Sequence, residues 1–276
     1  MWKRKMLQTK RGTFEIFQKG VGKPLCVAHH YAVFNETGDY FADTFTNRFC
    51  VTLVNLRGVG ESEQAHEPYE YSMVDSVLDI EAIRIALEYE KWIYAGHSTG
   101  GMIGLLYALL HQPSLESLVI VGSAARDYTQ SSACIYNENH PKFAVMQQYQ
   151  FALTQPNITA TKKEELTMKR TRLSLFEPEK YTQYFTDGIS KGISGERLNF
   201  FSREAVLFDI TRKLKHINIP TNICCGRYDV QCPVEYSKEI HQEISQSQLF
   251  IFEKSNHYPF LEEKDLFQKI IEQALH

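Results

Sequence analysis

The stretch YAGHSTGGMIGL, residues 94–105, sets Ser98 between Gly96 and Gly100, with apolar residues on both sides. Glycine weakens strands and helices alike, so two of them around one serine point to a backbone that bends where a side chain would collide. The run Trp92–Ala95 reads as a strand, and Met102, Ile103, Leu105 and Leu106 belong to a helical pattern. Ser98 therefore stands on a strand-to-helix turn with the spacing Gly-x-Ser-x-Gly. A serine on such a turn is held in strained geometry with its hydroxyl exposed. The helix that starts there aims N–H groups and the positive end of its dipole at any nearby oxyanion.

Outward from this turn, the first half of the chain alternates strands and helices. GTFEIFQKG alternates apolar and polar residues, as one arm of a hairpin does. PLCVAHH, FCVTLVNLRG, KWIYAG and LESLVIVGSAA are apolar runs ending in turn residues, the pattern of strands buried on both faces. YSMVDSVLDIEAIRIALEY reads as a helix capped by Ser72, with Asp75 in its first turn. From about residue 127 to 210 the alternation stops, and four successive stretches, NHPKFAVMQQYQFALTQ among them, read as helical. After Pro220 it resumes with TNICCGRYD, PVEYSKEIHQEI, SQLFIFEKS and LFQKIIEQAL. This order predicts a mainly parallel sheet flanked by helices, interrupted by a helical cap: core 1–126 and 211–276, cap 127–210.

The 276 residues suffice for a large core, and 43% apolar and 23% charged residues are ordinary for a soluble protein. A net charge of -3 provides no broad basic field, so neither nucleic acid nor an anionic membrane is an expected partner. The basic start MWKRKMLQTKRG lacks the apolar run of a secretory signal, and no stretch reaches the roughly 18 apolar residues of a membrane span. Cys26, Cys50, Cys134, Cys224, Cys225 and Cys232 form no CxxC pair, which argues against zinc and disulfide frameworks. Reduced thiols in a cytoplasmic protein, with no metal and no organic cofactor, are the expectation.

A serine hydroxyl needs a base to become a nucleophile, usually a histidine oriented by a carboxylate. In open α/β sheets ligands bind beyond the carboxyl ends of the strands. Just after TNICCGRY stands Asp229, and just after SQLFIFEKSN stands His257. The order Ser98, Asp229, His257 completes a set of three placements that agree.

With GHSTGG, NLRGVGES, GRYDVQCP and SNHYPFLEE, the chain resembles the α/β-hydrolase superfamily over nearly its whole length. The resemblance implies Ser98 as nucleophile, Asp229 as orienting acid, His257 as general base and the Thr99 N–H as one oxyanion donor. The second donor then falls to the Tyr31 N–H, in His29-His30-Tyr31, where the family usually has His-Gly before the donor. His30 in the glycine slot departs from that pattern, as does Asn55 where the family usually has Asp. Asp127 is an alternative acid, because some members carry it after the preceding strand. His97 reads as a packed neighbour of the site, His29 as a hydrogen-bonded support of the oxyanion loop, Arg57 as structural, and Asp75 and Asp79 as parts of a helix face.

This machinery suits acyl transfer to water. A small carboxylic ester or amide is the expected small-molecule substrate. GRYDVQCP and the layout also resemble proline iminopeptidases, which hold the free amine of an N-terminal proline with carboxylates. Val230 and HHYAVF depart from that subfamily, and the carboxylates that the cap offers, Glu177, Glu179, Glu196 and Glu204, read as solvated surface residues. A receptor-like homologue that binds a small molecule with little turnover is the alternative from another class.

Overall fold

The computed structural model describes residues 1–153, 155, 158–186 and 188–275. Thr154 in the first helical stretch of the insertion and Asp187 in the third lie outside the described residues, as do Pro156, Asn157 and His276.

The strands, in chain order, are β1 Lys3–Thr9, β2 Gly12–Lys19, β3 Lys23–Ala28, β4 Ala32–Val33, β5 Phe49–Val54, β6 Trp92–His97, β7 Leu115–Val121, β8 Gly192–Ile193, β9 Thr221–Gly226 and β10 Ser247–Phe252. The helices are α1 Tyr40–Asp43, α2 Met73–Ala86, α3 Thr99–His111, α4 Phe143–Leu153, α5 Ala160–Arg172, α6 Tyr181–Tyr184, α7 Gly195–Leu207, α8 Val234–Glu243, α9 Pro259–Glu262 and α10 Lys264–Ala274. Eight strands form one sheet in the order β1-β2-β5-β3-β6-β7-β9-β10. β1, β2 and β5 pair antiparallel, and every pairing from β5 to β10 is parallel. This is an α/β-hydrolase fold with a helical insertion between β7 and β9.

The apolar runs explain the layering. Successive side chains of a strand face opposite sides, so a continuous apolar strand serves two cores. Leu25 and Val27 of β3, Ile93 and Ala95 of β6, and Val119 and Val121 of β7 pack with Phe41, Phe45, Phe260 and Phe267 on one face. Cys26, Tyr94, Leu118 and Ile120 pack with Val77, Ile80, Met102, Leu105 and Ile240 on the other.

The reading of the second helix holds at its start, where the Ser72 hydroxyl accepts from Asp75 N. It fails on one of the helix-face aspartates. Asp79 is fully buried, with Arg57 Nη2 at 3.0 Å and Arg11 Nε at 2.6 Å. Ile85, although apolar, is 54% exposed. The insertion also contains a strand that periodicity could not reveal: two-residue β8 pairs antiparallel with β4, outside the main sheet.

Candidate active site

Ser98 caps α3 with φ 56° and ψ -124°. A non-glycine residue rarely adopts this left-handed φ, and a residue held there is locked by its surroundings. The lock is visible. Ser98 N donates to Val121 O of β7 at 2.9 Å, and Gly101 N donates to Ser98 O at 2.9 Å. A Cβ at Gly96 would strike the Gly100 carbonyl group, and a Cβ at Gly100 would strike the Ala28 carbonyl oxygen. Both glycines are therefore required by close backbone approach around the serine. Thr99 opens α3, so its N–H has no intrahelical acceptor.

Asp229, in the turn after β9, and His257, after β10, meet beside this elbow. Their separation is 2.9 Å from Nδ1 to Oδ2 and 3.0 Å to Oδ1, and both residues are buried. Asp229 Oδ1 also accepts from Gln231 N and Cys232 N, each at 2.8 Å. These backbone donors fix the carboxylate, and the carboxylate fixes the imidazole with Nδ1–H toward it. Nε2 is then the unprotonated, accepting nitrogen of the ring. His97 Nε2 donates to the His257 carbonyl oxygen at 2.8 Å, and the two rings lie 4.5 Å apart, so His97 is the packed neighbour anticipated from the sequence.

The loop after β3 closes the other side. Ala32 N and Tyr31 N donate to His29 Nδ1 at 3.2 and 3.4 Å. With Nδ1 accepting, the His29 proton sits on Nε2, which faces Thr99 Oγ1 at 3.1 Å. His30 N donates to the same hydroxyl at 3.3 Å. Burial, followed by the Lys191 charge, keeps His29 well below the usual histidine range and so neutral. The long contact from Tyr31 N exceeds ordinary hydrogen-bond length and leaves that N–H weakly engaged.

The glycine-slot residue and Glu204 of the insertion meet inside the protein. His30 is fully buried, with its ring 5.3 Å from Phe201 and Nε2 3.4 Å from Glu204 Oε2. Burial, and then Arg197, push its pKa well down. Glu204 is half-buried, not solvated, and accepts from Met73 N at 2.9 Å. Glu177 pairs with Lys180 at 2.8 Å, Glu196 accepts from the Tyr71 hydroxyl at 2.8 Å, and Glu179 is exposed. Asp127 is turned to its own loop, accepting from Thr129 N and Oγ1 and from Gln130 Nε2. An open apolar groove of about 600 Å³, lined by Met73, Leu106, Phe200 and Phe208 among others, includes none of Ser98, Asp229 or His257.

Three residues at the site escaped the sequence reading. Gly122, with φ 52°, follows the carbonyl that holds Ser98 N, and a Cβ there would lie 2.9 Å from Asp229 Oδ2 and 3.3 Å from His257 Nδ1. Its signal was present, as a glycine directly after a strand. Glu262 Oε1 accepts from Asn256 N at 2.9 Å and Tyr258 N at 3.1 Å, bracketing His257. Burial raises Glu262 to about 7 against the pull of those donors. Arg197, from α7, is fully buried against the loop that carries His30. No local pattern distinguishes either of the last two from a surface residue.

The model of the alpha/beta hydrolase fold family matches residues 25–264. A solved alpha/beta fold family hydrolase from Bacillus anthracis str. Sterne is 39% identical, with a TM-score of 0.96 and 99% of each chain covered. The AB hydrolase superfamily protein YisY of Bacillus subtilis (strain 168) is 27% identical over 259 residues, 92% of each chain. A proline iminopeptidase of Saccharolobus solfataricus is also 27% identical, over 228 residues that make up 79% of this chain and 73% of that one.

Proposed function

The chain belongs to the alpha/beta hydrolase family, and we propose that it is a serine hydrolase that cleaves a small carboxylic ester or amide through an acyl-enzyme on Ser98. The observation that carries this reading is the buried Asp229–His257 pair beside a serine held at φ 56°. In this reading His257 Nε2 takes the hydroxyl proton as Ser98 Oγ attacks the carbonyl carbon. Asp229 stabilises the imidazolium that forms, and the Thr99 and Tyr31 N–H groups receive the oxyanion. The imidazolium then protonates the leaving alcohol or amine. Water, deprotonated by the same His257, attacks the acyl carbon; the bond to Ser98 Oγ breaks, the acid leaves, and His257 returns the proton to Oγ.

An ester is preferred to an N-terminal proline peptide. A buried ammonium needs a paired carboxylate. Glu177, Glu196 and Glu204 are already engaged with Lys180, Tyr71 and Met73, and Glu179 is exposed. The test is fluorophosphonate labelling together with turnover of p-nitrophenyl esters and prolyl amides by purified protein. Labelling abolished by Ser98→Ala, with steady ester turnover, is the expected result. Labelling that survives Ser98→Ala overturns the nucleophile. Tight binding with a single turnover replaces the enzyme by a receptor, and prolyl-amide turnover above ester turnover replaces the substrate class.

A further inference from the structure

One face of α7 grips the loop that carries the second oxyanion donor. Arg197, Phe201 and Glu204 follow the spacing i, i+4, i+7, so they form a single stripe. Each meets His30 or Tyr31: Arg197 Nε donates to the His30 carbonyl oxygen, the Phe201 ring lies 5.3 Å from His30 and 5.7 Å from Tyr31, and Glu204 Oε2 stands 3.4 Å from His30 Nε2. The chain entering α7 adds Ser194 N, which donates to Tyr31 O at 2.9 Å, and β8, which pairs with β4 at Ala32–Val33.

Arg197 is the unusual member. Its guanidinium is fully buried, and no carboxylate forms an ion pair with it among the described residues. It donates instead to neutral acceptors: His30 O, Arg57 O at 2.9 Å, Ser76 Oγ at 2.6 Å and Tyr71 O at 3.4 Å. Burying a cation on carbonyl groups is costly, so packing alone is a poor reason for it. The bond to His30 O has a geometric effect. The carbonyl of His30 and the N–H of Tyr31 belong to one planar peptide and point in opposite directions. Fixing the oxygen therefore fixes the direction of the hydrogen.

We propose that Arg197 is a positioning residue that holds the Tyr31 N–H, engaged only at 3.4 Å with His29 Nδ1, ready to pass to the oxyanion formed at Ser98. The inference rests on the reading of Ser98 as nucleophile. It also assigns the helical insertion a part in the chemical step, in addition to any part in choosing substrates. Arg197 touches no reacting atom. It acts through a peptide plane, with Arg57 O and Ser76 Oγ holding the far side of the fork.

The test uses Arg197→Lys and Arg197→Met in the full chain, with a carboxylic ester and its thionoester, in which sulfur replaces the carbonyl oxygen. Sulfur is a weak acceptor and gains little from an oxyanion hole, so the oxo/thiono ratio of kcat/KM reports donor alignment. Rates are taken per serine titrated with fluorophosphonate, which removes any unfolded fraction. The expected result is a fall in kcat for the oxo ester of roughly 10²-fold, the scale of one lost oxyanion donor, with KM little changed and the oxo/thiono ratio reduced in parallel. Ser202→Ala, on the exposed side of α7, keeps the wild-type ratio. A ratio unchanged in folded Arg197→Lys, whether or not Arg197→Met folds, overturns the proposal and makes Arg197 a purely structural clamp. Absence of labelling and turnover in the wild type instead removes the hydrolase reading, and this inference with it.

Discussion

Gly122 stands against Asp229 so closely that a single added carbon would lie 2.9 Å from the carboxylate oxygen. The same carbon would press His257 Nδ1 at 3.3 Å, at a position whose φ of 52° already disfavours any side chain. Gly122→Ala should therefore displace the Asp229–His257 pair. The expected outcome is a loss of roughly 10²-fold in kcat/KM per titrated serine, the scale of a misplaced catalytic group. Steady-state kinetics beside active-site titration measure it.

Asp229 and Asp127 separate cleanly in the structure, since only Asp229 contacts His257. Asp229→Asn should lower kcat by about 10⁴-fold through loss of the productive tautomer. Asp127→Asn should leave kcat near the wild-type value. The reverse pattern would return the acid to the strand before the insertion.

Glu262 provides a pH signature. Burial raises its carboxyl to about 7, above the 4.5 of an ordinary glutamate, so the folded state favours the protonated form. Stability from this source is complete below about pH 4.5 and is lost as pH rises through 7. Glu262→Gln cannot ionise, so its thermal midpoint should gain on the wild type between pH 4.5 and pH 8. Paired melting curves across that range check the slope, and a constant difference would show that Glu262 titrates normally.

Two glycines should respond in opposite ways to alanine. At Gly100 the new carbon meets the Ala28 carbonyl oxygen, which belongs to a central strand and cannot yield. Gly100→Ala is expected to lose at least roughly 3 kcal/mol or to fail to fold. At Gly195, the first residue of α7, nothing lies within 4 Å. Gly195→Ala should be neutral or gain about 0.5–1 kcal/mol from restricting the unfolded chain. Urea unfolding of both variants decides.

The sheet was legible in the sequence because its strands carry two-sided apolar runs and its serine turn carries two glycines forced by contact. Asp229 and His257 were legible because they follow the ends of β9 and β10, where ligands gather in such sheets. Arg197 and Glu262 were not. Arg197 acquires its meaning from a peptide 167 residues earlier in the chain, and a charged residue on a helix looks solvated until the segment it meets is known. Glu204 was misread as a surface residue for the same reason, and Asp79 because its partners Arg57 and Arg11 come from distant turns. β8, two residues long, has no periodicity to read; only its pairing with β4 defines it.

The insertion departs from and rejoins the core at one doorway. Arg126 bridges Asp209, Asp127 N donates to Phe208 O, and Ile210 N donates to Ala125 O. To the sheet, everything between these residues is a closed loop, and lengthening a loop whose ends stay fixed costs only about 0.6 kcal/mol per doubling. Segments of other sizes could be spliced at this threshold with the sheet and its flanking helices left standing. What such a graft would not inherit is the buried fork on the His30 carbonyl. Transplants at this seam should thus fold readily yet start as sluggish catalysts, until the incoming helix supplies a grip of its own.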